Sequence, residues 1–526
     1  MDFTGLFISV VLCSSLCECG NILVVPVDFG YNSRMRNMIK IGRIMLNAGH
    51  QVTFLLSDQI EHDALYKMGE TSTMNKTFNV IHFKKPPVDV SKDMNSLNQD
   101  FINSLMGNAV NAFDNVLPIY SDFISLPLED RSIWKKFARS KFDLIISDER
   151  MFVSRVISAS FNIPLILYEN WGPMIFDTNL VQRFNLAYVP AFLHPSSDIM
   201  SFSERVYNVW EYYKLKEVNR KVYSISVAIC KELGYGDACD NINNAEKTVS
   251  LVFMNRNDAL HYPLPLMPHV ISVEGFFLEN PKPLDRHYAN IIEKAGKHGI
   301  IVVSFGSLFR RLWPELRTTF AKAFAAMPQT VIWSYEGPTP EGLGNNTILS
   351  KWIPQESLLN HPATKLFVTQ CGASSSFQAL HYALPVIGVP FFFDQPFYCQ
   401  KLSHRVKSGQ TVSVEGITME KLQRAMKEVI ENKKYKVNAE RAAAIYHDQP
   451  IPPKDKLVYW AEYVIRHKGA PHLQSQAANE LNFFQYYLLD IIALVCCVCI
   501  IIGTVLIIIA KKVICFIFSY QKVKYD

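Results

Sequence analysis

The longest apolar segment of the chain, residues 491–510, contains no charged side chain. A helix needs about 20 predominantly apolar residues to cross the hydrocarbon of a bilayer, where every backbone amide must be paired within the protein. Asp490 precedes this segment, and Lys511 and Lys512 follow it at once. We therefore predict one transmembrane helix over residues 487–510; the alternative is a buried core helix.

The charges around this segment predict its orientation. Lysines are enriched on the cytosolic side of membrane helices, so the tail, residues 511–526, is expected in the cytosol and residues 21–486 in the lumen. The tail carries Lys522 and Lys524 close to its end. This spacing resembles the dilysine signal of endoplasmic reticulum membrane proteins. We predict a single-pass protein of that membrane.

The first 20 residues are predicted to be a signal peptide. Residues 6–16 form a short apolar run that is followed by small residues up to Gly20. Such a run is too short to span a bilayer but suits the core of a signal peptide. Two N-glycosylation sequons begin at Asn75 and Asn345 in the predicted lumenal part, so we predict a glycan at each.

Length and composition bound the remaining possibilities. A chain of 526 residues is too long for a single hydrophobic core and predicts two domains. Its 49% hydrophobic and 19% charged residues indicate a folded protein with additional membrane-directed sequence. The formal net charge of +5 is small and no dense basic patch occurs, so we predict no nucleic-acid partner.

The cysteines and histidines fit an oxidising compartment without indicating a metal. Cys230, Cys239, Cys371 and Cys399 fall in the predicted lumenal part, where a bridge between the first two is compatible with their spacing. The sequence has no paired CxxC motifs and no HExxH motif, and its 14 histidines are scattered. We therefore predict no metal site.

Two consecutive parts of the chain repeat a pattern of apolar strands and helices. The first part has strand-like runs at residues 21–27, 52–56, 142–147 and 164–168, and a helical stretch near 35–46. The second has strand-like runs at residues 299–304, 330–333, 365–369 and 385–389, and helices near 315–326, 374–382 and 419–431. Strands without polar alternation that lie between helices are typical of parallel sheets covered on both faces. Two Rossmann-like halves imply a cleft between them.

This pattern predicts an α/β fold with two Rossmann-like domains. We place the N-terminal domain at residues 21–270, a proline-rich linker at 271–284 and the C-terminal domain at 285–449. Residues 450–486 are predicted to form a helix that returns to brace the N-terminal half, and a juxtamembrane segment.

A nicotinamide-dependent enzyme would share this architecture. However, neither first strand leads into a GxGxxG motif. Gly234 and Gly236 lack both the third glycine and the preceding strand. The sequence therefore disfavours a dinucleotide site.

The segment from Lys351 to Pro396 decides the class. It reads KWIPQESLLNHPATKLFVTQCGASSSFQALHYALPVIGVPFFFDQP. It closely resembles the signature of UDP-sugar-dependent glycosyltransferases, specifically of the UDP-glucuronosyltransferase family. The resemblance continues through residues 447–450 (HDQP) and 460–473 (WAEYVIRHKGAPHL) to the anchor, and covers nearly the whole mature chain. It implies the GT-B fold, in which the N-terminal half binds a small lipophilic acceptor and the C-terminal half binds the UDP-sugar.

The resemblance also implies roles for individual residues. Trp352 would stack on uracil, and Gln355 would lie near the ribose. The helix start at residues 372–376 would direct its free N–H groups at the diphosphate, so that no metal or other cofactor is needed. Asp394 and Gln395 would hold the sugar hydroxyls. The full set of predicted UDP-sugar ligands is Ser307, Trp352, Gln355, Gln370, Gly372, Ser374, Ser375, Gln378, Asp394 and Gln395.

Simpler interpretations stand beside these roles. Trp352 could be a core residue, and residues 394–396 could be a plain turn. The aromatic run at residues 391–393 is interpreted as packing rather than as an acceptor pocket.

Several donor-site positions depart from the family pattern. Gln370, Cys371 and Gly372 stand where the family usually has His-Gly-Gly. Ser374 replaces an asparagine that serves the diphosphate, and Gln378 replaces a glutamate that accepts from the ribose hydroxyls. Losing that charge-assisted bond costs about 1–2 kcal/mol, or about tenfold in donor affinity.

The predicted catalytic position departs further. Ser33-Arg34 matches a Ser-His pair whose histidine removes the proton of the acceptor, and Asp148 matches the aspartate that orients this histidine. Arginine keeps its proton at physiological pH and cannot act as a general base. We expect Arg34 and Asp148 to form an ion pair.

Three hypotheses follow for the chemistry. In the first, an inverting transferase moves a sugar, glucuronic acid by resemblance, to acceptors that need little base help, such as amines or acidic phenols. Lost base catalysis costs about 10²–10⁴-fold on a poorly acidic hydroxyl. In the second, Asp148 takes the proton, which a salt bridge to Arg34 opposes. In the third, the chain is a catalytically weak UDP-sugar-binding partner of active relatives, and the family resemblance allows a homo- or hetero-oligomer.

Overall fold

The computed structural model describes most of the chain, and its residues form two compact units, 1–470 and 471–526. The described residues are 19–27, 33–58, 78–84, 125–171, 185–191, 196–278, 281–306, 309–392 and 394–525. Most of the predicted signal peptide, the sequon at Asn75 and the predicted ligand Ser307 lie outside these residues.

The first sheet lies in the N-terminal part of the larger unit. In the described residues it has seven strands in the order β3-β2-β1-β4-β5-β6-β7, and each pair of neighbours is parallel. The strands are β1 (Asn21–Val25), β2 (Gln51–Ser57), β3 (Asn79–Phe83), β4 (Leu144–Asp148), β5 (Leu165–Glu169), β6 (Val249–Met254) and β7 (Val270–Ser272). The central strands are buried along their whole length, which is why their sequences show no polar alternation.

Helices accompany this sheet and complete what we call the N-terminal lobe. They are α1 (Ser33–Asn47), α2 (Arg131–Ser140), α3 (Val153–Phe161), α4 (Phe202–Glu232) and the short α5 (Ala245–Thr248). A disulfide joins Cys230 at the end of α4 to Cys239. The bridge that the sequence allowed is therefore present.

The second sheet forms the core of what we call the C-terminal lobe. Its described strands are all parallel, in the order β10-β9-β8-β11-β12-β13. They are β8 (Ile300–Ser304), β9 (Thr330–Ser334), β10 (Thr347–Ser350), β11 (Thr364–Thr369), β12 (Val386–Gly388) and β13 (Gly409–Thr411). The helices are α6 (Arg286–Ala295), α7 (Pro314–Ala325), α8 (Gln355–Asn360), α9 (Ala373–His381), α10 (Gln395–Gln400), α11 (Met419–Glu431) and α12 (Lys433–His447).

A strand or helix is present at every predicted run, whereas five further strands were missed. The missed strands are β3, β6, β7, β10 and β13. Strand β7 covers the first two residues of the predicted linker. It has only three residues, and a run that short carries no periodicity.

A helix after the C-terminal lobe returns to the N-terminal lobe. Helix α13 (Pro453–His467) packs against α1 and β4. Its Lys456 Nζ lies 3.0 Å from Glu274 Oε1, and its Glu462 Oε1 lies 3.6 Å from His50 Nε2. Helix α13 therefore contacts the N-terminal lobe through both charged and packed side chains.

The smaller unit contains α14 (Gln476–Glu480), α15 (Phe483–Tyr486) and α16 (Leu489–Tyr525). Residues Leu489–Phe518 of α16 are long and apolar enough to cross a membrane. The helix therefore extends beyond the predicted end at residue 510. Lys511 and Lys512 do not end it because lysine is a good helix former and more apolar residues follow.

Removal of the Trp333 side chain is expected to destabilise the C-terminal lobe. Its fully buried ring lies 5.2 Å from that of Phe324 and 4.8 Å from that of Tyr335, between centroids. Trp333→Ala should lower the free energy of unfolding by about 3–5 kcal/mol because it leaves a large cavity. Urea unfolding of the detergent-solubilised protein measures this, with the exposed Tyr459→Ala as control. Equal losses in both variants would contradict the packing described here.

Candidate active site

Trp352 is placed as a platform at the edge of the second sheet. It follows β10, and its side chain is 60% exposed, which rules out the core interpretation. Its carbonyl oxygen accepts hydrogen bonds from the Tyr288 hydroxyl (3.2 Å) and the Ser350 hydroxyl (2.7 Å). The backbone that carries the indole is therefore held in place, while the ring is largely exposed to solvent.

Gln355 and Gln378, both predicted near the ribose, contact each other directly. Gln355 Nε2 donates to Gln378 Oε1 at 2.6 Å, and Gln378 Nε2 donates to Glu356 Oε1 at 3.2 Å. Sequence reasoning missed Glu356. Its carboxylate lies next to the amide that stands where the family has a glutamate, so a carboxylate remains beside the two predicted ribose ligands. Its place in the first turn of α8, next to Gln355, is the signal that could have revealed it.

The predicted phosphate site is the start of α9, which follows directly after β11. Gly372 is the N-cap residue, and the first helical N–H, that of Ala373, donates to Asp394 Oδ2 at 3.1 Å. Among the described residues, the hydroxyls of Ser374 and Ser376 have no hydrogen-bond partner. Ser375 is buried beside them. Free N–H groups and unpaired hydroxyls at a helix start form a site for an anion.

The Gln370 side chain lies next to two glycines, Gly306 and Gly372. Its Oε1 accepts from the Thr369 hydroxyl at 2.9 Å. A Cβ on Gly306 would clash with Gln370 Nε2, and one on Gly372 would lie 3.2 Å from it. The amide therefore fills the space where the backbone turns after β8 and β11 approach each other.

Asp394 and Gln395 begin α10, next to the start of α9. Asp394 is 7% exposed, and burial raises the pKa of its carboxyl to about 6 although the Ala373 N–H opposes the shift. Gln395 Oε1 accepts from the N–H groups of Phe391 (2.8 Å) and Phe392 (3.3 Å). The side chain of Gln395 therefore also fixes the loop before α10.

The aromatic run before Asp394 is packing, as interpreted from the sequence. The Phe391 ring stacks on that of Phe309 at 4.0 Å between centroids, and both rings are buried. Phe393 lies outside the described residues.

A disulfide that the sequence did not predict connects the loop before α9 to helix α10. Cys371, directly before Gly372, is bonded to Cys399 in α10. Both cysteines are buried. The bond ties the start of α9 to the helix that carries Asp394 and Gln395. Because 27 residues separate the two cysteines in the sequence, spacing alone gave no signal.

Arg34 and Asp148 form the expected ion pair, in the N-terminal lobe. Arg34 Nε lies 2.8 Å from Asp148 Oδ2, and Arg34 Nη2 lies 2.6 Å from Asp148 Oδ1 and 2.8 Å from Glu149 Oε1. Burial alone would lower the pKa of Arg34, but the two carboxylates outweigh it and raise the pKa further above its usual range. Arg34 is therefore a permanent cation.

More charged groups surround this pair than the sequence indicated. Arg150 Nε lies 3.2 Å from Glu149 Oε1, and its guanidinium stacks on Trp171 at 3.9 Å from the ring centroid. Glu169 Oε1 accepts from the Trp171 N–H at 2.8 Å. Burial, assisted by the charge of Glu149, raises the pKa of Glu169 well above its usual range. The runs that end in Asp148 and Glu169 were recognised, but only the fold brings them together.

The two lobes meet next to these groups. The Tyr398 hydroxyl of α10 donates to the Trp171 carbonyl at 3.1 Å. The Arg36 guanidinium of α1 lies 5.0 Å from the centroid of the Trp352 ring. The side that we predict to bind the acceptor and the side that we predict to bind the UDP-sugar therefore face each other. A separate surface cavity lined by residues of α6 and α8, including Ile292 and Ser357, contains none of the predicted ligands.

Binding of a UDP-sugar should depend on the protonation of Asp394. With a pKa of about 6, this group is largely ionised at pH 7.5 and about nine-tenths protonated at pH 5, when it can no longer accept two hydroxyl hydrogens. We expect up to about tenfold weaker binding at pH 5, measured by isothermal titration. Asp394→Asn should bind weakly with no inflection near pH 6. A full inflection in this variant would assign the titration to another group.

Removal of the bond between Cys371 and Cys399 should weaken nucleotide binding. Without it, the start of α9 must be ordered on binding, at a cost of about 0.5–1.5 kcal/mol. The double serine variant should therefore raise the Kd of UDP about 3- to 10-fold. The matched control replaces Cys230 and Cys239, which lie in the other lobe. A similar change in both variants would show that the effect is general loss of stability.

Comparison with known proteins agrees with this geometry. The family model described as "UDP-glucoronosyl and UDP-glucosyl transferase" matches residues 20–525. Human UDP-glucuronosyltransferase 2B10 is 30% identical over 99% of this chain and 97% of its own length, and mouse UDP-glucuronosyltransferase 2A1 is 31% identical over 96% and 94%.

Solved structures show the same fold at low identity. The calicheamicin glycosyltransferase CalG4 has a TM-score of 0.57 at 14% identity and covers 86% of this chain and 98% of its own. Glycosyltransferase VinC, in complex with DTDP, has a TM-score of 0.55 at 13% identity over 84% and 100%. With two parallel sheets, a cleft between them and a family match along almost the whole sequence, the chain belongs to the UDP-glucuronosyl and UDP-glucosyl transferase family and is a UDP-glycosyltransferase of GT-B fold.

Proposed function

We propose that the chain transfers glucuronic acid from UDP-glucuronate to small lipophilic acceptors whose nucleophile needs no strong general base. The main observation in support of this function is that Arg34 pairs with both oxygens of Asp148. The choice of glucuronic acid is supported by the names of relatives that align along nearly the whole chain. The acceptor class follows from the chemistry of the arginine.

The proposed reaction is a direct displacement at the anomeric carbon. The lone pair of the acceptor forms the new bond as the bond to the β-phosphate oxygen breaks and its electron pair leaves with UDP, so the configuration inverts. The proton of an amine passes to water once the new bond has formed, and an acidic phenol reacts as the phenolate. The N–H groups at the start of α9 and the hydroxyls of Ser374 and Ser376 would stabilise the charge that develops on the diphosphate. Asp394 would orient the sugar.

Arg34 stands where the family has its catalytic histidine, so this position supplies no base. Arg34 is a permanent cation, and it donates to both oxygens of Asp148, so each oxygen of this carboxylate already has a hydrogen-bond donor. Amines, which carry a lone pair when neutral, and acidic phenols, which ionise in solution, need less assistance than alcohols. This comparison supports the first of the three hypotheses over the second.

The proposed setting is the lumenal face of the endoplasmic reticulum membrane, with α16 as the single anchor and the residues after it in the cytosol. The charges that flank the apolar segment support this orientation. Asn345 is exposed at a turn before β10, where a glycan would meet no neighbouring core. Cleavage of a signal peptide remains part of the same proposal.

A second candidate is a catalytically weak partner that binds UDP-sugar beside active relatives. The buried pair of Arg34 with Asp148 and Glu149 favours it, since this arrangement is a stable ion pair without a catalytic base. The intact donor platform at Trp352 and the capped helix start at Gly372 favour an active enzyme.

An assay of the full-length protein in microsomes separates these candidates. UDP-glucuronate and UDP-glucose are each offered with an aromatic amine, an acidic phenol and an aliphatic alcohol. We expect transfer of glucuronic acid to the amine or phenol and little transfer to the alcohol. Transfer to none of them, with UDP still raising the Tm, would establish the binding-partner function and contradict the proposed one.

Arg34→His tests the reason for this selectivity. The imidazole can act as a base oriented by Asp148, so turnover of the alcohol should rise by about 10²-fold or more, while the acidic phenol changes much less. Arg34→Gln is the control, because it removes the cation without supplying a base. An equal gain in both variants would mean that loss of the cation, and not base catalysis, is responsible.

A further inference from the structure

Three basic side chains lie where the loop after β6 meets the end of α10, and we call them the basic cluster. The loop contributes Arg256, and the chain after α10 contributes Lys401 and Arg405. Residues Lys401–Arg405 form a π-helical turn, a rare element that often occurs at functional sites. Arg405 Nη2 donates to the carbonyl oxygen of Asp258 at 2.7 Å, so the cluster joins the two lobes.

Each member of the basic cluster has a buried N–H donor that no described residue accepts. Lys401 is 1% exposed, and its Nζ has no hydrogen-bond partner in the described part of the chain. The same holds for the Nε atoms of Arg256 and Arg405. Arg256 is only partly satisfied, because its Nη2 contacts Asp258 Oδ1 at 2.5 Å. Buried donors are normally paired, so three of them together indicate a site for a hydrogen-bond acceptor.

Lys401 is the member whose charge is least favourable. Its Nζ lies 3.4 Å from the centroid of the Phe397 ring, one turn earlier in α10. Burial lowers the pKa of Lys401 well below its usual range. The charges of Arg256 and Arg405 lower this pKa further, whereas that of Asp394 opposes the shift. A negative group bound to this amine would stabilise its charged form.

We propose that the basic cluster binds a small carboxylate at the junction of the two lobes. The two oxygens of a carboxylate accept several hydrogen bonds, and those from arginine and lysine are charge-assisted. One negative charge would balance the ammonium of Lys401, since Arg256 already pairs with Asp258. The ligand can approach from solvent because Arg405 is only half-buried. A carboxylate bound here would contact residues of both lobes and hold them together.

Two sources can supply this carboxylate. One is a small free anion, and the other is the uronate group of the sugar in the proposed function. Lys401 follows Asp394 by seven residues, about two helical turns, and its side chain leans back towards the start of α10. Asp394 is a predicted sugar ligand, so the amine lies on the same side of the helix. Arg34 and Arg150 also act on Asp394, but both contact Glu149.

The first arm of the test uses formate as a free carboxylate. Thermal unfolding of the full-length protein in nanodiscs is followed as sodium formate replaces sodium isethionate, a bulkier anion, at constant ionic strength. We expect about 100 mM formate to raise the Tm of the wild type by about 1–3 °C. Lys401→Met should abolish this response without lowering the Tm in isethionate, because an apolar side chain replaces a buried charge. Lys427→Met, at an exposed lysine on α11, is the control and should keep the response.

The second arm tests the sugar carboxylate, and it rests on the proposed function. Isothermal titration gives the Kd of UDP-glucuronate and of UDP-glucose. If the uronate is the ligand, Lys401→Met should raise the Kd of UDP-glucuronate about 10-fold or more and leave that of UDP-glucose within about twofold. A wild-type protein that binds neither nucleotide would contradict the proposed function, whereas the site itself is tested separately by the response to formate.

A second variant separates ligand binding from a structural contribution. Arg405→Gln leaves Lys401 buried and should weaken the same ligand about 3- to 10-fold. A purely structural contribution of Arg405 would instead lower the Tm in isethionate and leave the affinity for the carboxylate unchanged.

Specific results would overturn this assignment. No carboxylate binds at the basic cluster if formate and isethionate give the wild type the same Tm and Lys401→Met changes the Kd of both nucleotides equally. A formate response that persists in Lys401→Met would place the anion elsewhere. Equal loss of the response in Lys427→Met would show that the effect depends on net charge and not on this site.

Discussion

The parallel order of the strands in both sheets determines where the chemistry of this protein lies. Parallel strands end at the same edge of a sheet, so the ends of β1, β4 and β5 lie at one edge of the first sheet, and those of β8 and β11 at one edge of the second. Polar groups at the strand ends are unfavourable in the apolar interior of each lobe. They therefore collect on the two sides of one cleft, where Asp148 and Glu169 face Trp352 and Asp394.

On the side that we predict to bind the UDP-sugar, several separate contacts hold the start of α9 in a fixed position. Asp394 accepts the first N–H of α9, the bond from Cys371 to Cys399 fixes the preceding loop, and the Gln370 amide fills the space next to Gly306. When an anion binds at a site that is already ordered in this way, little conformational entropy is lost. The substitutions relative to the family pattern change individual ligands, but they leave this preorganised arrangement of backbone and side chains in place.

On the acceptor side, the structure balances a group of buried charges. Arg34 and Arg150 face Asp148, Glu149 and Glu169, and the raised pKa of Glu169 favours its neutral form. Burial also raises the pKa of Glu149, although Arg34 and Arg150 oppose the shift, so the two cations stabilise carboxylates that burial alone would neutralise. An unpaired buried charge would cost several kcal/mol, so this pairing is a condition for folding as well as a limit on catalysis. An arginine in such a network stabilises carboxylates, which is the opposite of what a proton-accepting group must do.

The sequence by itself determined the fold class, the membrane segment and the donor motif, because apolar runs, segment length and a long spaced signature are local properties of the chain. It also predicted the pair of Arg34 and Asp148 from residue chemistry. Only the tertiary structure decided which distant residues meet: Cys371 with Cys399, Glu356 with Gln378, and Arg36 with Trp352. The physical reason is that these contacts join segments that are separated in sequence and are brought together by the packing of sheets and helices, which no local pattern records. The sequence thus specified the individual residues, and packing within the C-terminal lobe and between the two lobes specified their partners.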